Sequence, residues 1–238
     1  MIRVAVIGAH GRMGRVTCDA VEADDQCELV ARVGVDDTLD AALDAGADVA
    51  VEFTTPSSVG RNTTWLLERG VHVVVGATGL DDEDLAALEA RTGPANCVVA
   101  PNFAVGAVLM MRFAAEAARH FPDAEVVEQH HPAKLDAPSG TARRTARLIA
   151  EARTATPAVP GPKGASSRGE VIDEVPVHAV RLPGVVANQE VVLGATGQTL
   201  TIRHDTVDRT AFMPGVLLAV KRIGRTPGLT VGLEHLLD

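Results

Sequence analysis

The stretch from Ile2 to Gly14 constrains the fold more than any other. Ile2-Arg3-Val4-Ala5-Val6-Ile7 is a nearly continuous apolar run, and Gly8-Ala9-His10-Gly11-Arg12-Met13-Gly14 follows it directly. A strand covered on both faces reads this way, because a parallel sheet sandwiched between helices has no solvated side. The glycines then permit a tight turn and a close approach of backbone to a pyrophosphate, ahead of a helix expected to run to about Val21. The spacing is GxxGxxG, a variant of the usual GxGxxG. A glycine motif alone is weak; the strand before it and the helix after it are the context that dinucleotide binding requires. The plainer alternative is a turn whose glycines serve packing only.

The same rhythm continues. CELVARV, DVAVEF, VHVVVG and NCVVAPNF are strand-like, and helical stretches lie around SSVGRNTTWLLERG and DDEDLAALEARTG. Alternating strands and helices predict a doubly wound parallel sheet of the Rossmann type. Between Val35 and Asp48 the chain is short for a full crossover helix, so a clipped one is expected. Gly76, Ala77 and Thr78 close one strand, and Ala100, Pro101, Asn102 and Phe103 close another. Both sets fall at carboxyl ends of parallel strands, where open α/β sheets bind ligands.

After Phe103 the character changes. VGAVLMMRFAAEAARHF reads as a long apolar helix and AEVVEQ as a strand. TATPAVPGPKGASSRGE reads as a surface loop, since Pro, Gly and Ser punctuate structure. VPVHAVRL, NQEVVLGATG and QTLTIRHD are strand-like runs expected to form a mixed, mostly antiparallel sheet, and AFMPGVLLAVKRIG a helix that packs back on the first domain. The expected organisation is 1–103 with 212–238 as a dinucleotide-binding domain, and 104–211 as an α+β domain for substrate and oligomerisation.

The chemistry concentrates in Glu128-Gln129-His130-His131-Pro132-Ala133-Lys134-Leu135-Asp136-Ala137-Pro138-Ser139-Gly140-Thr141-Ala142. Pro132 and Pro138 bracket a loop, and Ser139 is a good N-cap for the helical TARRTARLIAEAR. The backbone amides of Gly140 and Thr141 and the helix dipole favour an anion there. With the Lys134 ammonium they make a carboxylate or phosphate pocket, and His130 and His131 stand beside it. That is the layout of an enzyme acting on a small acid by proton transfer. Taken singly, each histidine is more simply a core or loop residue and Lys134 a surface lysine; the short link from Lys134 to a helix start is what raises it. Arg209 is a second-tier anion contact. No metal is expected, because neither HxxxH nor CxxC spacing is present.

Composition narrows the partners. A net charge of −9 argues against nucleic acid and membrane surfaces, and 3% aromatic residues without a tyrosine offer no platform for stacking bases. No apolar run is long enough for a transmembrane helix. The chain opens at once on a strand, so no signal peptide is expected. Cys18, Cys27 and Cys97 are an odd set without metal spacing, which suggests reduced thiols and a cytoplasmic protein.

GAHGRMG and EQHHPAKLDAPSGTA together closely resemble the dihydrodipicolinate (4-hydroxy-tetrahydrodipicolinate) reductase family, and the pattern is most similar to actinobacterial members. VVGATG, APNFAVGA, PVHAVRLPG and TIRHDTVDRTAFMPGV extend the resemblance over the whole chain. It implies reduction of 4-hydroxy-tetrahydrodipicolinate, with loss of water, to tetrahydrodipicolinate in lysine and diaminopimelate synthesis, using NADPH or NADH, in a homotetramer. It implies His130 as proton donor and Lys134 as an assisting acid, with His131, Lys134, Gly140 and Thr141 holding the dicarboxylate. The cofactor would lie on Gly8 to Met13, Gly76 to Thr78 and Ala100 to Phe103.

One departure stands out. Many members carry an acid after the second strand that meets the adenosine ribose; here Gly34 stands near that point, with Arg32 before it and Asp36 and Asp37 after. Arg32 or Arg12 could meet a 2′-phosphate, so NADPH is expected to serve at least as well as NADH. The alternatives are a paralogue reducing a related cyclic imine dicarboxylate, a semialdehyde dehydrogenase of similar build, and a non-catalytic nucleotide-binding paralogue. An acylating dehydrogenase would need a cysteine in a catalytic loop, and a non-catalytic paralogue would be expected to have lost His130 or Lys134.

Overall fold

The computed structural model describes residues 1–93, 95–153 and 166–237. The chain forms two compact units, one from Met1–Val105 with Arg209–Asp238 and the other from Gly106–Asp208.

In the first unit, β1 (Ile2–Ile7), α1 (Arg12–Glu22), β2 (Cys27–Val33), α2 (Asp40–Asp44), β3 (Val49–Glu52), α3 (Val59–Leu67), β4 (His72–Val75), α4 (Asp82–Glu89) and β5 (Cys97–Val99) alternate as the apolar runs predict. The crossover after β2 is indeed clipped, since α2 has five residues. Every neighbouring pair in the sheet is parallel, in the order β2-β1-β3-β4-β5 and then a last strand contributed from the end of the chain. The switch point of this order lies between β1 and β3, and a crevice opens there by geometry, because the connections leave β1 toward opposite sides. Alternate residues of the strands face opposite layers. Ala5 and Ile7 join Ala42, Val59, Leu66, Leu67 and Leu88 in one buried cluster, while Val6 meets Ala9 and Cys18 on the other side.

The second unit begins within α5 (Val105–Ala118), followed by β6 (Asp123–His130), α6 (Gly140–Ala152), β7 (Glu170–Ile172), β8 (Val175–Arg181), β9 (Ala187–Ala195) and β10 (Gln198–Thr206). Its sheet runs β10-β9-β6-β8-β7, and only the β6–β8 pair is parallel. The sheet is therefore mixed and mostly antiparallel, as its turn-punctuated strands predict. The loop read from Thr154 onward falls largely on 154–165, outside the described residues; Ser166–Arg168 form a single 3-10 turn. On β6, Ala124, Val126 and Glu128 are buried, so a carboxylate occupies a core position of that strand.

The chain then returns to the first unit with α7 (Met213–Arg222), which packs on α1, and β11 (Leu229–Val231), which extends the first sheet beyond β5. Pro214 sits in the first turn of α7, where its missing N–H costs nothing. Lys221 reaches Asp24 at 2.6 Å and ties this helix to the turn between α1 and β2.

Candidate active site

In the first unit a cavity of about 800 Å³ opens at the carboxyl ends of β1, β2 and β3. Gly8, His10 and Gly11 line it, with Gly34, Val35 and Asp37 after β2, Thr54 and Thr55 after β3, and Ser58, Arg61, Asn62 and Trp65 at α3. Gly8 has φ +82°, and a Cβ there would stand 2.7 Å from the Phe53 carbonyl oxygen. Gly14 is tighter still, since a Cβ would lie 2.1 Å from the carbonyl oxygen of Gly8. Only glycine at both positions lets α1 start this close to the strand ends, where its first amides and dipole can meet a pyrophosphate. These features fit a dinucleotide.

The structure divides the cofactor residues expected from sequence. Gly8, His10 and Gly11 stand on the cavity wall. Ala9 is buried beneath it, Arg12 is exposed at the start of α1 and Met13 is half-buried. Gly76 and Ala77 donate their amides to the Glu52 carbonyl, closing β4 against β3, and Thr78 follows them on the surface. Ala100 bonds the Val75 carbonyl, Pro101 is exposed, Asn102 accepts the Ala104 amide, and Phe103 is buried edge-on to Phe53. These two strand ends do not line the cavity. The wall supplied by β3 and α3 was not read from sequence, although VEFTTPSS ends a parallel strand as plainly as the two segments that were.

Beside the cavity, Glu52 is a fully buried carboxylate that accepts from the Thr54 amide at 2.9 Å, from the Thr54 hydroxyl and from Asn62. Burial holds its proton to higher pH than an ordinary glutamate, and these hydrogen bonds offset that only in part.

The second unit assembles the histidine loop. His130 ends β6 with 14% of its side chain exposed, and its Nδ1 lies 2.5 Å from Glu128 Oε2. The two are on one face because strand side chains repeat every second residue. Arg181, paired with His130 in the β6–β8 register, sets Nη1 and Nη2 at 2.9 and 3.0 Å from the two Glu128 oxygens. The Ser139 amide adds a bond to Glu128 at 3.0 Å. Burial alone would raise the Glu128 carboxyl, but the hydrogen bonds from His130 and Arg181 hold it below the usual carboxylate range.

The loop beyond is shaped by its own bonds. The Lys134 amide turns back to the His131 carbonyl, and Arg181 donates to the carbonyls of Lys134 and Asp136 at 3.3 and 2.5 Å. Lys134 Nζ rests 2.8 Å from Asp136. Ser139 caps α6 by accepting the Ala142 amide, as its position predicts, so Gly140 and Thr141 form the first turn of the helix. His130, His131, Lys134, Gly140 and Thr141 thus share one strand end, loop and helix start. Glu128, Arg181 and Asp136 were missed. Among the described residues no group of three or more His, Cys, Asp or Glu side chains is placed to hold a metal ion.

Two family models account for almost the whole chain: the one described as dihydrodipicolinate reductase, N-terminus, matches residues 2–103, and its C-terminus counterpart matches 106–237. The chain belongs to the dihydrodipicolinate reductase family. Curated relatives named 4-hydroxy-tetrahydrodipicolinate reductase include those of Streptomyces griseus, 53% identical, and Mycolicibacterium vanbaalenii, 51% identical. The alignments cover 100% of this chain and 98% and 99% of theirs. A dipicolinate-bound dihydrodipicolinate reductase from Paenisporosarcina sp. TG-14 superimposes with a TM-score of 0.85 at 38% identity, covering 100% of both chains. Aspartate semialdehyde dehydrogenase II of Vibrio cholerae, at 12% identity, covers 94% of this chain and 99% of its own with a TM-score of 0.57, and so shares the fold alone. Both strings that suggested a dihydrodipicolinate reductase, the glycine turn and the histidine loop, therefore lie in a member of that family.

Proposed function

We propose that this chain reduces 4-hydroxy-tetrahydrodipicolinate, with loss of water, to tetrahydrodipicolinate with a nicotinamide cofactor. The observation that carries the reading is the histidine loop, in which one strand end, one lysine and one helix start provide a proton and an anion site on adjacent residues. A planar dicarboxylate suits this group: the first-turn amides of α6 and the Lys134 ammonium each favour a carboxylate. Lys134 would exchange Asp136 for substrate, and His131 and the Thr141 hydroxyl would complete the hold.

The nicotinamide, when bound, supplies the hydride. Loss of the 4-hydroxyl as water leaves a ring carbon conjugated to the ring imine; that carbon accepts the hydride, and the enamine-like anion so formed must take a proton. His130 is the donor in this reading, at the end of a rigid strand, and Lys134 assists while orienting the ring.

The cavity in the first unit would hold the dinucleotide, with Gly8 to Met13 around the pyrophosphate. For the cofactor's adenosine end we revise the expectation from sequence. Arg32 pairs with Glu22 at 2.6 Å and does not line the cavity, whereas Asp37 folds back so that its Oδ2 accepts the Gly34 amide at 2.8 Å. Asp37 is thus the acid at the end of the second strand, displaced in sequence by three residues, and it suits ribose hydroxyls. Arg61 lines the same cavity and suits a 2′-phosphate. Both cofactors should therefore be used, with Asp37 favouring NADH. Asp37→Asn should raise the NADPH to NADH ratio of kcat/KM and Arg61→Ala should lower it; an unmoved ratio in both would refute this assignment.

We place the enzyme in the cytoplasm, a reading supported by its free, buried Cys18, Cys27 and Cys97. We assign a homotetramer to the second unit's sheet, whose strand β10 is exposed over most of its length; sedimentation would check it. The deciding experiment is a coupled assay in which the synthase product is presented with NADH or NADPH. Oxidation of either cofactor dependent on that product supports the reading, and no oxidation with a freshly made substrate overturns it.

A further inference from the structure

Glu128 sits where an alternating strand would place an apolar residue, with none of its side chain exposed. A charge withdrawn from water in this way is costly unless paired and fully hydrogen-bonded. Here four donors meet its two oxygens: His130 Nδ1, Arg181 Nη1 and Nη2, and the Ser139 amide. A carboxylate offers about four lone-pair sites, so these donors saturate it and fix its plane.

We propose that Glu128, braced by Arg181, is the positioning residue that fixes the His130 imidazole with its Nδ1 proton on the carboxylate and its Nε2 as the proton-delivering atom. This rests on the reading of His130 as the proton donor. A carboxylate alone beside an imidazolium could take its proton. The bidentate guanidinium opposes that transfer, because it favours the ionised carboxylate. The proton given up in the reaction then comes from Nε2, while the Nδ1–H bond to Glu128 stays intact and sets the ring's tilt. Arg181 also binds the carbonyls of Lys134 and Asp136, so the same cation that braces the carboxylate sets the loop carrying the lysine. Among the described residues, the charged groups bonded into the His130–Glu128 pair are Glu128 itself, on the same strand as the ring, and Arg181 on β8, while His131, Lys134 and Asp136 follow on the loop that leaves the strand. The residues opposite on β9, Ala187 and Asn188, carry no charge.

The competing explanation is that Glu128 and Arg181 simply staple β6 to β8. Glu128→Gln separates the two. It keeps the size and one acceptor oxygen, removes the negative charge, and leaves the guanidinium facing the ring. The alkaline limb of kcat, where a required protonated group is lost, should move to lower pH by about one unit or more, and kcat at pH 8 should fall at least about tenfold. KM for NADH should hold. Glu128→Asp should bring the limb back toward its original position. A staple would instead change melting temperature and substrate KM while leaving the limb in place, and that result in a folded Glu128→Gln variant overturns the proposal.

His130→Ala is the control. Near-normal turnover there would remove His130 from its role altogether, whereas a crippled His130→Ala with an unmoved limb in Glu128→Gln sinks only the positioning claim. If Glu128→Gln does not fold, the imidazole 15N shifts of His130 in the unaltered protein decide. A neutral ring protonated at Nδ1 supports the proposal, and one protonated at Nε2 with Nδ1 bare overturns it.

Discussion

Two buried glutamates mark the two units, and their surroundings drive them in opposite directions. Glu128 is held ionised by His130 and Arg181, whereas no cation among the described residues pairs with Glu52 and burial favours its protonated form. The folded chain therefore keeps a proton on Glu52 over a window that begins at the ordinary glutamate range, where the unfolded chain has already lost it. Stability from this site declines as pH rises through that window. Glu52→Gln should remove the decline, so its melting temperature should exceed that of the unaltered chain by a margin that grows as pH rises above the ordinary glutamate range, on the order of a few degrees; a difference that does not change with pH would refute the assignment. At the other glutamate's partner, His130→Ala should cut turnover by about 10²–10⁴ while cofactor affinity holds. A loss below about threefold would show that the proton comes from elsewhere. His130 and Lys134 could be found in the sequence because they lie in one short string beside a helix start. Arg181 could not, since it is 53 residues from Glu128 and meets it only through strand register.

Among the elements, helices and strands with a run of apolar residues were legible, the three-residue β5 included, whereas β7 and β11 were not. β7 and β11 have three residues each, too few to show an alternation; β7 forms against the longer β8, and β11 against β5, itself three residues long. Read as one face, Ala124, Val126, Glu128 and His130 of β6 form an apolar stripe that ends in two polar groups; the opposite face, with Glu125, Val127 and Gln129, hides that signal by mixing acid and apolar residues too. The start of α1 gives a direct test of the nucleotide turn. Gly14→Ala must push that helix away from Gly8, so cofactor KM should rise about tenfold or more while dicarboxylate binding changes little; equal effects on both ligands would argue for global damage. At the start of α6, Ser139→Ala loses the cap on the Ala142 amide and should cost about 1 kcal/mol in stability, measured by denaturant unfolding, together with weaker dicarboxylate binding.

At the scale of the molecule, the order of elements along the chain was legible as one long α/β run, an α+β insertion and a returning helix. What joined β11 to the first sheet was not, because Leu229-Thr230-Val231 pairs with Cys97-Val98-Val99 across the entire intervening unit. The first unit is thus built from two stretches that are far apart in sequence. A chain ending at residue 208 lacks α7 and β11, which should leave the apolar sides of α1 and β5 uncovered. It should be largely insoluble, while the full chain stays in solution; a soluble, nucleotide-binding 1–208 fragment would contradict this. The same arrangement matters at birth. A ribosome adding about 5–20 residues per second emits β5 long before its neighbour, so for roughly ten seconds the nascent sheet presents an open backbone edge, a template for the wrong strand. A holding chaperone on the nascent chain would matter most in that interval, and slowing synthesis between residues 106 and 228 should lower the yield of native protein more than slowing it anywhere before residue 97.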